Sequence, residues 1–117
     1  MNKILIADSL SDGWQEVTDN SDIQVDINTG LSEAEIVKII PGYAGLIVRS
    51  ATQVTAGIIE AGRNLRVIGR AGAGVDNIDI KAASHRGIIV VNAPGGNTIS
   101  TADHTVAMLL SLSRNIP

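Results

Sequence analysis

The chain has 117 residues, 12 acidic and 9 basic, for a net charge of −3, with no cysteine and no phenylalanine. The missing cysteines exclude disulfides, thiolate catalysis and cysteine-based zinc sites. The mild negative charge, with no Lys/Arg stripe among aromatics, argues against a nucleic-acid surface, and no apolar run reaches the ~18 residues of a membrane span.

This length makes one domain, or one domain with a piece of another. Lys3 is followed only by Ile4-Leu5-Ile6-Ala7 before Asp8, too short for a signal-peptide core, so a cytoplasmic setting is expected. Residues 3–7 read as a buried strand, 11–20 as a weak helix around Trp14 and Val17, and 23–27 as an alternating strand. Ser32-Glu33-Ala34-Glu35 has capping-box spacing, in which a hydroxyl and a carboxylate three residues on satisfy orphan N–H groups reciprocally. The helix it opens carries Ile36, Val37 and Ile40 on one face and ends at Pro41-Gly42. Residues 45–48 are the third strand. Thr55 caps a short helix with Ile58 and Ile59 inward, stopped at Gly62, and 65–69 is the fourth strand. Asp79 caps a helix through Ala82 and Ala83, stopped at Gly87, and 88–91 is the fifth strand. Ser100-Thr101-Ala102-Asp103 is a second capping box, opening a helix to about residue 114.

Five alternations of strand and helix predict an α/β fold: a parallel five-stranded sheet with helices on both faces, in the flavodoxin-like order 2-1-3-4-5. The last helix is apolar around most of its girth, with Ala102, Val106, Leu109 and Leu110 on one stripe and Met108 and Leu112 on another side. It is either buried deep in its own sheet or passes between two domains.

Open α/β sheets hold their ligands where strand-to-helix turns crowd at one edge. Three stretches follow aliphatic runs and so belong there: Val48-Arg49-Ser50, Arg70-Ala-Gly-Ala-Gly-Val-Asp-Asn-Ile-Asp79 and Val90-Val-Asn-Ala-Pro-Gly-Gly-Asn97. They offer a guanidinium fork suited to phosphate or carboxylate, a hydroxyl, a side-chain amide and a glycine-spaced run of N–H groups. Gly72-Ala-Gly-Val-Asp-Asn77 is not a dinucleotide fingerprint, because its third glycine position is Asn77 and no acidic residue ends a following strand. His85 and His104 have neither a partner acid nor further ligands nearby, so neither is assigned to catalysis or to a metal. Asp8 fills the first carboxylate place of a phospho-acceptor domain, but Arg49 stands where the phosphorylated Asp would be, which argues that reading away.

Ile47-Val48-Arg49-Ser50, the run from Gly69 to Asp79, and Val91-Asn-Ala-Pro-Gly-Gly-Asn97 with Ala102-Asp-His-Thr105 resemble the N-terminal part of the D-isomer-specific 2-hydroxyacid dehydrogenases. Arg49-Ser50 with the Asn-x-Pro-x-x-Asn loop tilts the resemblance to their phosphoglycerate dehydrogenase branch, which oxidises 3-phosphoglycerate with NAD and opens serine biosynthesis. The resemblance implies that Arg49, Ser50 and Asn97 contact the substrate, chiefly its phosphate. It implies that the N–H groups of Ala73, Gly74 and Val75 meet the carboxylate, and that Ala73 borders the cofactor. It further implies a substrate-binding part over 1–99 and a helix over 100–117 leading into an NAD-binding domain. The family's catalytic Arg, Glu and His match positions beyond Pro117, so no catalytic residue is assigned and the chain alone is expected to be inactive. The expected partner is a small phosphorylated hydroxyacid, in a homo-oligomer. Two other readings stand beside this one: a glyoxylate or hydroxypyruvate reductase of the same family, and a stand-alone anion-binding α/β module.

Overall fold

Ile4-Leu5-Ile6 and Leu46-Ile47-Val48 are unbroken aliphatic triplets, and a strand of that kind belongs where both faces are covered. In a computed structural model, which describes residues 3–8, 24–49, 51–71, 76–93 and 108, they form the centre of β1 (Lys3–Ile6) and β3 (Gly45–Val48), and all six side chains are buried. The remaining strands are β2 (Gln24–Ile27), β4 (Val67–Ala71) and β5 (Ile89–Ala93). All neighbours run parallel, in the order β2-β1-β3-β4-β5 predicted from the alternation. The polar–apolar alternation of Gln24-Val-Asp-Ile27 matches its place at the sheet's edge, where Ile27 is 50% exposed.

Side chains alternate across the sheet with the pleat. Leu5, Ala7, Leu46, Val48 and Ile68 point to one face, where they meet Ile36 and Ile40 from around α1 (Glu33–Ile39), Ile58 and Ile59 of α2 (Ala56–Ala61) and Ala83 of α3 (Ile80–His85). Ile4, Ile6, Ile47 and Val67 point to the other face. Met108, helical and half-buried, packs there. Of the helix expected over 100–114, Met108 is the described residue, and it touches the sheet. The expected helix over 11–20 and the second capping box lie outside the described residues.

The helix ends follow the local chemistry read from the sequence. Ser32 Oγ accepts the N–H of Glu35 at 3.3 Å while the Glu35 carboxylate accepts the N–H of Ser32 at 3.0 Å, the reciprocal pair of a capping box. Thr55 and Asp79 cap α2 and α3 through the N–H groups of Ile58 and Ala82. Pro41 does not end the first helix in a loop but tightens it into a 3-10 turn, Ile40–Gly42. α3 closes with Gly87 at φ +71°, Ile88 N–H reaching the Ala83 carbonyl and Gly87 N–H the Ser84 carbonyl. This bond pair is the Schellman closure, and the left-handed conformation it needs is cheapest in glycine. Arg86, just before it, donates to the carbonyls of Ile59, Glu60 and Gly62, so one guanidinium satisfies the open C-terminal end of α2.

Strand β4 begins two residues later than the apolar run suggests. Leu65 is held in the turn after α2, its N–H on the Gly62 carbonyl and its side chain so close that a Cβ on Gly62 would lie 2.9 Å from Leu65 Cβ. Pairing starts with Val67 opposite Gly45 and continues through Arg70, because ladder bonds between main chains are indifferent to side-chain polarity.

Candidate functional site

The parallel register brings three strand ends abreast. Val48 of β3 pairs with Arg70 of β4, Arg70 with Asn92 of β5, and Ala71 with Ala93. The segments that leave these ends begin at Arg49, Gly72 and Pro94, so the three stretches singled out by sequence depart from neighbouring points of one sheet edge. Arg49 is exposed at that edge. Ser50, Ala73, Gly74, Val75 and Asn97 lie outside the described residues.

The main chain of the Arg49 loop is held at Arg49 and Thr52 by two buried polar side chains. Asp8, immediately beyond β1 and only 6% exposed, directs its carboxylate into the loop. Its Oδ2 accepts the N–H of Arg49 at 2.7 Å and of Thr52 at 3.1 Å, and its Oδ1 accepts the Thr52 hydroxyl at 2.5 Å. From the segment after β4, Asn77, 7% exposed, donates through Nδ2 to the carbonyl of Arg49 at 2.5 Å and of Thr52 at 2.7 Å. Arg49 and Thr52 are thus each gripped at both the N–H and the C=O. A carboxylate offers only acceptors and an amide nitrogen only donors, so the two residue types match the groups they face. Bonds to a charged acceptor contribute about 1.5–3 kcal/mol each, against about 1 kcal/mol for neutral ones. A bridge between Val54 and Ile78, with Val54 N–H on the Asn77 carbonyl and Asp79 N–H on the Val54 carbonyl, ties the same two segments again.

Asp8, Thr52 and Asn77 receive no binding role from sequence alone. Asp8 enters there only as a failed phospho-acceptor, and Asn77 only as the residue that spoils a glycine fingerprint. The available signal was weak: an acid just after a buried strand needs a partner, whereas Asn77 sits between Asp76 and Ile78 and shows no such pattern. Nothing in the sequence says that the partner is one shared loop, 44 residues from Asp8 and 25 from Asn77. Asn77 Oδ1 is buried with no hydrogen-bond partner among the described residues.

Elsewhere the surface offers less. A shallow cleft of about 370 Å³ between α2 and α3 mixes Glu60, Lys81, His85 and Arg86, and Arg86 already caps α2. His85 is exposed in the last turn of α3. Among the described residues no group of three His, Cys, Asp or Glu side chains could hold a metal, and no helix is long and apolar enough to cross a membrane. The start of α1, beyond β2, is already closed by Ser32 and Glu35, and its acidic Glu33 and Glu35 repel an anion.

The model of the D-isomer specific 2-hydroxyacid dehydrogenase, catalytic domain, matches residues 4–114. The chain is 52% identical, over its whole length, to 21% of a D-3-phosphoglycerate dehydrogenase from Synechocystis. It is 50% identical, over 98% of its length, to 22% of the enzyme of that name from Archaeoglobus fulgidus. It spans about a fifth of the length of the curated relatives it matches. Among solved structures, NAD+-bound 3-phosphoglycerate dehydrogenase of Entamoeba histolytica superposes with a TM-score of 0.76 at 30% identity, over 92% of this chain and 38% of that one. A parallel sheet in the expected order, a braced arginine loop beyond the end of its third strand and a family match over nearly every residue lead to one assignment: the chain belongs to the D-isomer specific 2-hydroxyacid dehydrogenases and lies within their catalytic domain.

Proposed function

We propose that residues 1–99 are the substrate-binding part of an NAD-dependent D-3-phosphoglycerate dehydrogenase, and that the helix over 100–117 leads into its nucleotide-binding domain. The observation that carries this reading is the Arg49 loop, held at both ends beside the ends of β4 and β5. A planar guanidinium on a fixed main chain suits a phosphate or carboxylate, because its paired N–H groups match two oxygens at once. In this reading Arg49, Ser50 and Asn97 take the phosphate, and the N–H groups of Ala73, Gly74 and Val75 take the carboxylate. The names of the relatives and the NAD+ in the Entamoeba structure support the substrate and cofactor classes. Bound NAD would accept hydride from the hydroxyl-bearing carbon. This chain's own contribution is to hold the acid's two anionic ends so that this carbon is fixed in place. Ala73 contributes main chain but no hydroxyl toward the cofactor. The assembled enzyme is proposed to be a homo-oligomer.

Calorimetry on the chain tests the reading with 3-phosphoglycerate against glycerate. Loss of the phosphate removes at least one charged contact, so glycerate should bind about 10-fold more weakly or worse. Equal affinities would move the assignment to an unphosphorylated hydroxyacid. With NAD added, the chain alone should form no NADH; measurable turnover would overturn the proposed division of labour.

A further inference from the structure

We propose that Asp8, Thr52 and Asn77 are positioning residues that set the Arg49 loop for anion binding through its main chain, without touching the ligand. The inference rests on the reading of Arg49 as an anion ligand and adds the device that holds it.

Two segments distant in sequence converge on one loop, which adds a contact of its own. Asp8 comes from the end of β1, Asn77 from the stretch after β4, and Thr52 from the loop itself. Arg49 and Thr52 each give an N–H to Asp8 and a carbonyl to Asn77. The loop therefore cannot shift at either end without breaking bonds to both. In sequence, Asn77 follows Val75 by two residues. The amide is also turned to suit the loop rather than itself. Both donor contacts go to loop carbonyls while Oδ1 stays buried without a partner among the described residues, and a flipped amide would set that oxygen against two carbonyls. Such a brace lowers the conformational freedom that the loop must surrender on binding, which is how fixed main chain raises affinity without a new contact.

The test is a set of four variants of the full chain, titrated with 3-phosphoglycerate by calorimetry, with amide exchange of Arg49 and Thr52 read by NMR. Thr52→Val keeps the side chain's shape but removes the hydroxyl donor to Asp8; Asn77→Asp sets an oxygen against the two loop carbonyls. Each should weaken binding about 5- to 20-fold, the range of one or two lost polar contacts, and speed exchange of the Arg49 amide. Thr52→Ser, which keeps the donor, should stay within about 2-fold of the unmodified protein. Arg86→Leu removes the α2 cap and should lower the melting temperature while leaving affinity alone. Thr52→Val binding as tightly as the unmodified chain overturns the inference. So does Arg86→Leu weakening binding as much as Thr52→Val, since that would reduce the effect to general stability. If the unmodified chain binds no 3-phosphoglycerate, the functional reading fails by itself. The brace is then judged by exchange: equal Arg49 protection in Thr52→Val overturns it, and a loss of protection in that variant supports it.

Discussion

At the edge strand, Tyr43 donates its phenolic O–H to Asp26 Oδ2 at 2.7 Å. Burial, and secondly this bond to a carboxylate, push the phenol up to about 12, and the same bond is the first cause holding Asp26 below its ordinary value. The two shifts act on stability at opposite ends of the pH scale. The raised phenol contributes stability that is whole below about pH 10 and is lost as pH climbs toward 12. The lowered carboxyl contributes stability that is present above its usual value of 3.8 and is lost as pH falls below it. Tyr43 is the only tyrosine, so its ultraviolet titration is unambiguous: ionisation should centre near 12, not 10. Tyr43→Phe should lose about 1 kcal/mol at neutral pH, below the usual range for a charged hydrogen bond because Asp26 is only part-buried and water screens the pair. Arg49→Ala belongs to the same scale. It spares the main-chain N–H and C=O that Asp8 and Asn77 grip, so it isolates the guanidinium. In the complete enzyme it should raise the dissociation constant for 3-phosphoglycerate by the equivalent of about 1.5–3 kcal/mol, with the fold intact. Unchanged affinity would remove the side chain from the site.

At the scale of elements, short helices are stabilised by their ends, because α1, α2 and α3 have only 7, 6 and 6 residues. Each of them was legible in sequence because its cap is a local pattern: Ser32 with Glu35, Thr55, and Asp79 with Gly87. Gly87→Ala should cost about 1–2 kcal/mol by thermal melting, since it forces a side chain into the left-handed region that closes α3. A smaller loss would mean that α3 ends by another route. The Glu35 carboxyl is held below its usual range, chiefly by the Ser32 N–H it accepts, so the capping box weakens as pH drops below 4.5. The start of β4 was not legible, because it depends on how tightly Leu65 packs on Gly62. The end of α2 falls at Gly62 as the sequence suggested, but the guanidinium that satisfies it comes from Arg86, 24 residues further along, and leaves no local pattern.

Across the whole molecule, β1 and β3 fill the middle of the sheet and join its two cores. Leu46 on one face and Ile47 on the other are wholly buried. Leu46→Ala should therefore destabilise the chain by about 2–5 kcal/mol in urea, from lost transfer energy plus the cavity left behind. The order of the strands has an immediate consequence for function. It makes β3, β4 and β5 neighbours, so that segments 21 or more residues apart in sequence leave one edge together.

The amino-acid sequence alone determined the class of the fold, the five strands and the capped helices, because apolar period and cap chemistry are written within a few residues of where they act. It also offered Arg49 as a candidate, not by itself but because three strand ends carrying a cation, a glycine turn and an amide fall at one sheet edge. Only the tertiary structure decided what becomes of Asp8 and Asn77. A buried acid and a buried amide must find partners, but which partners is settled by the crossovers that bring two distant segments to one loop.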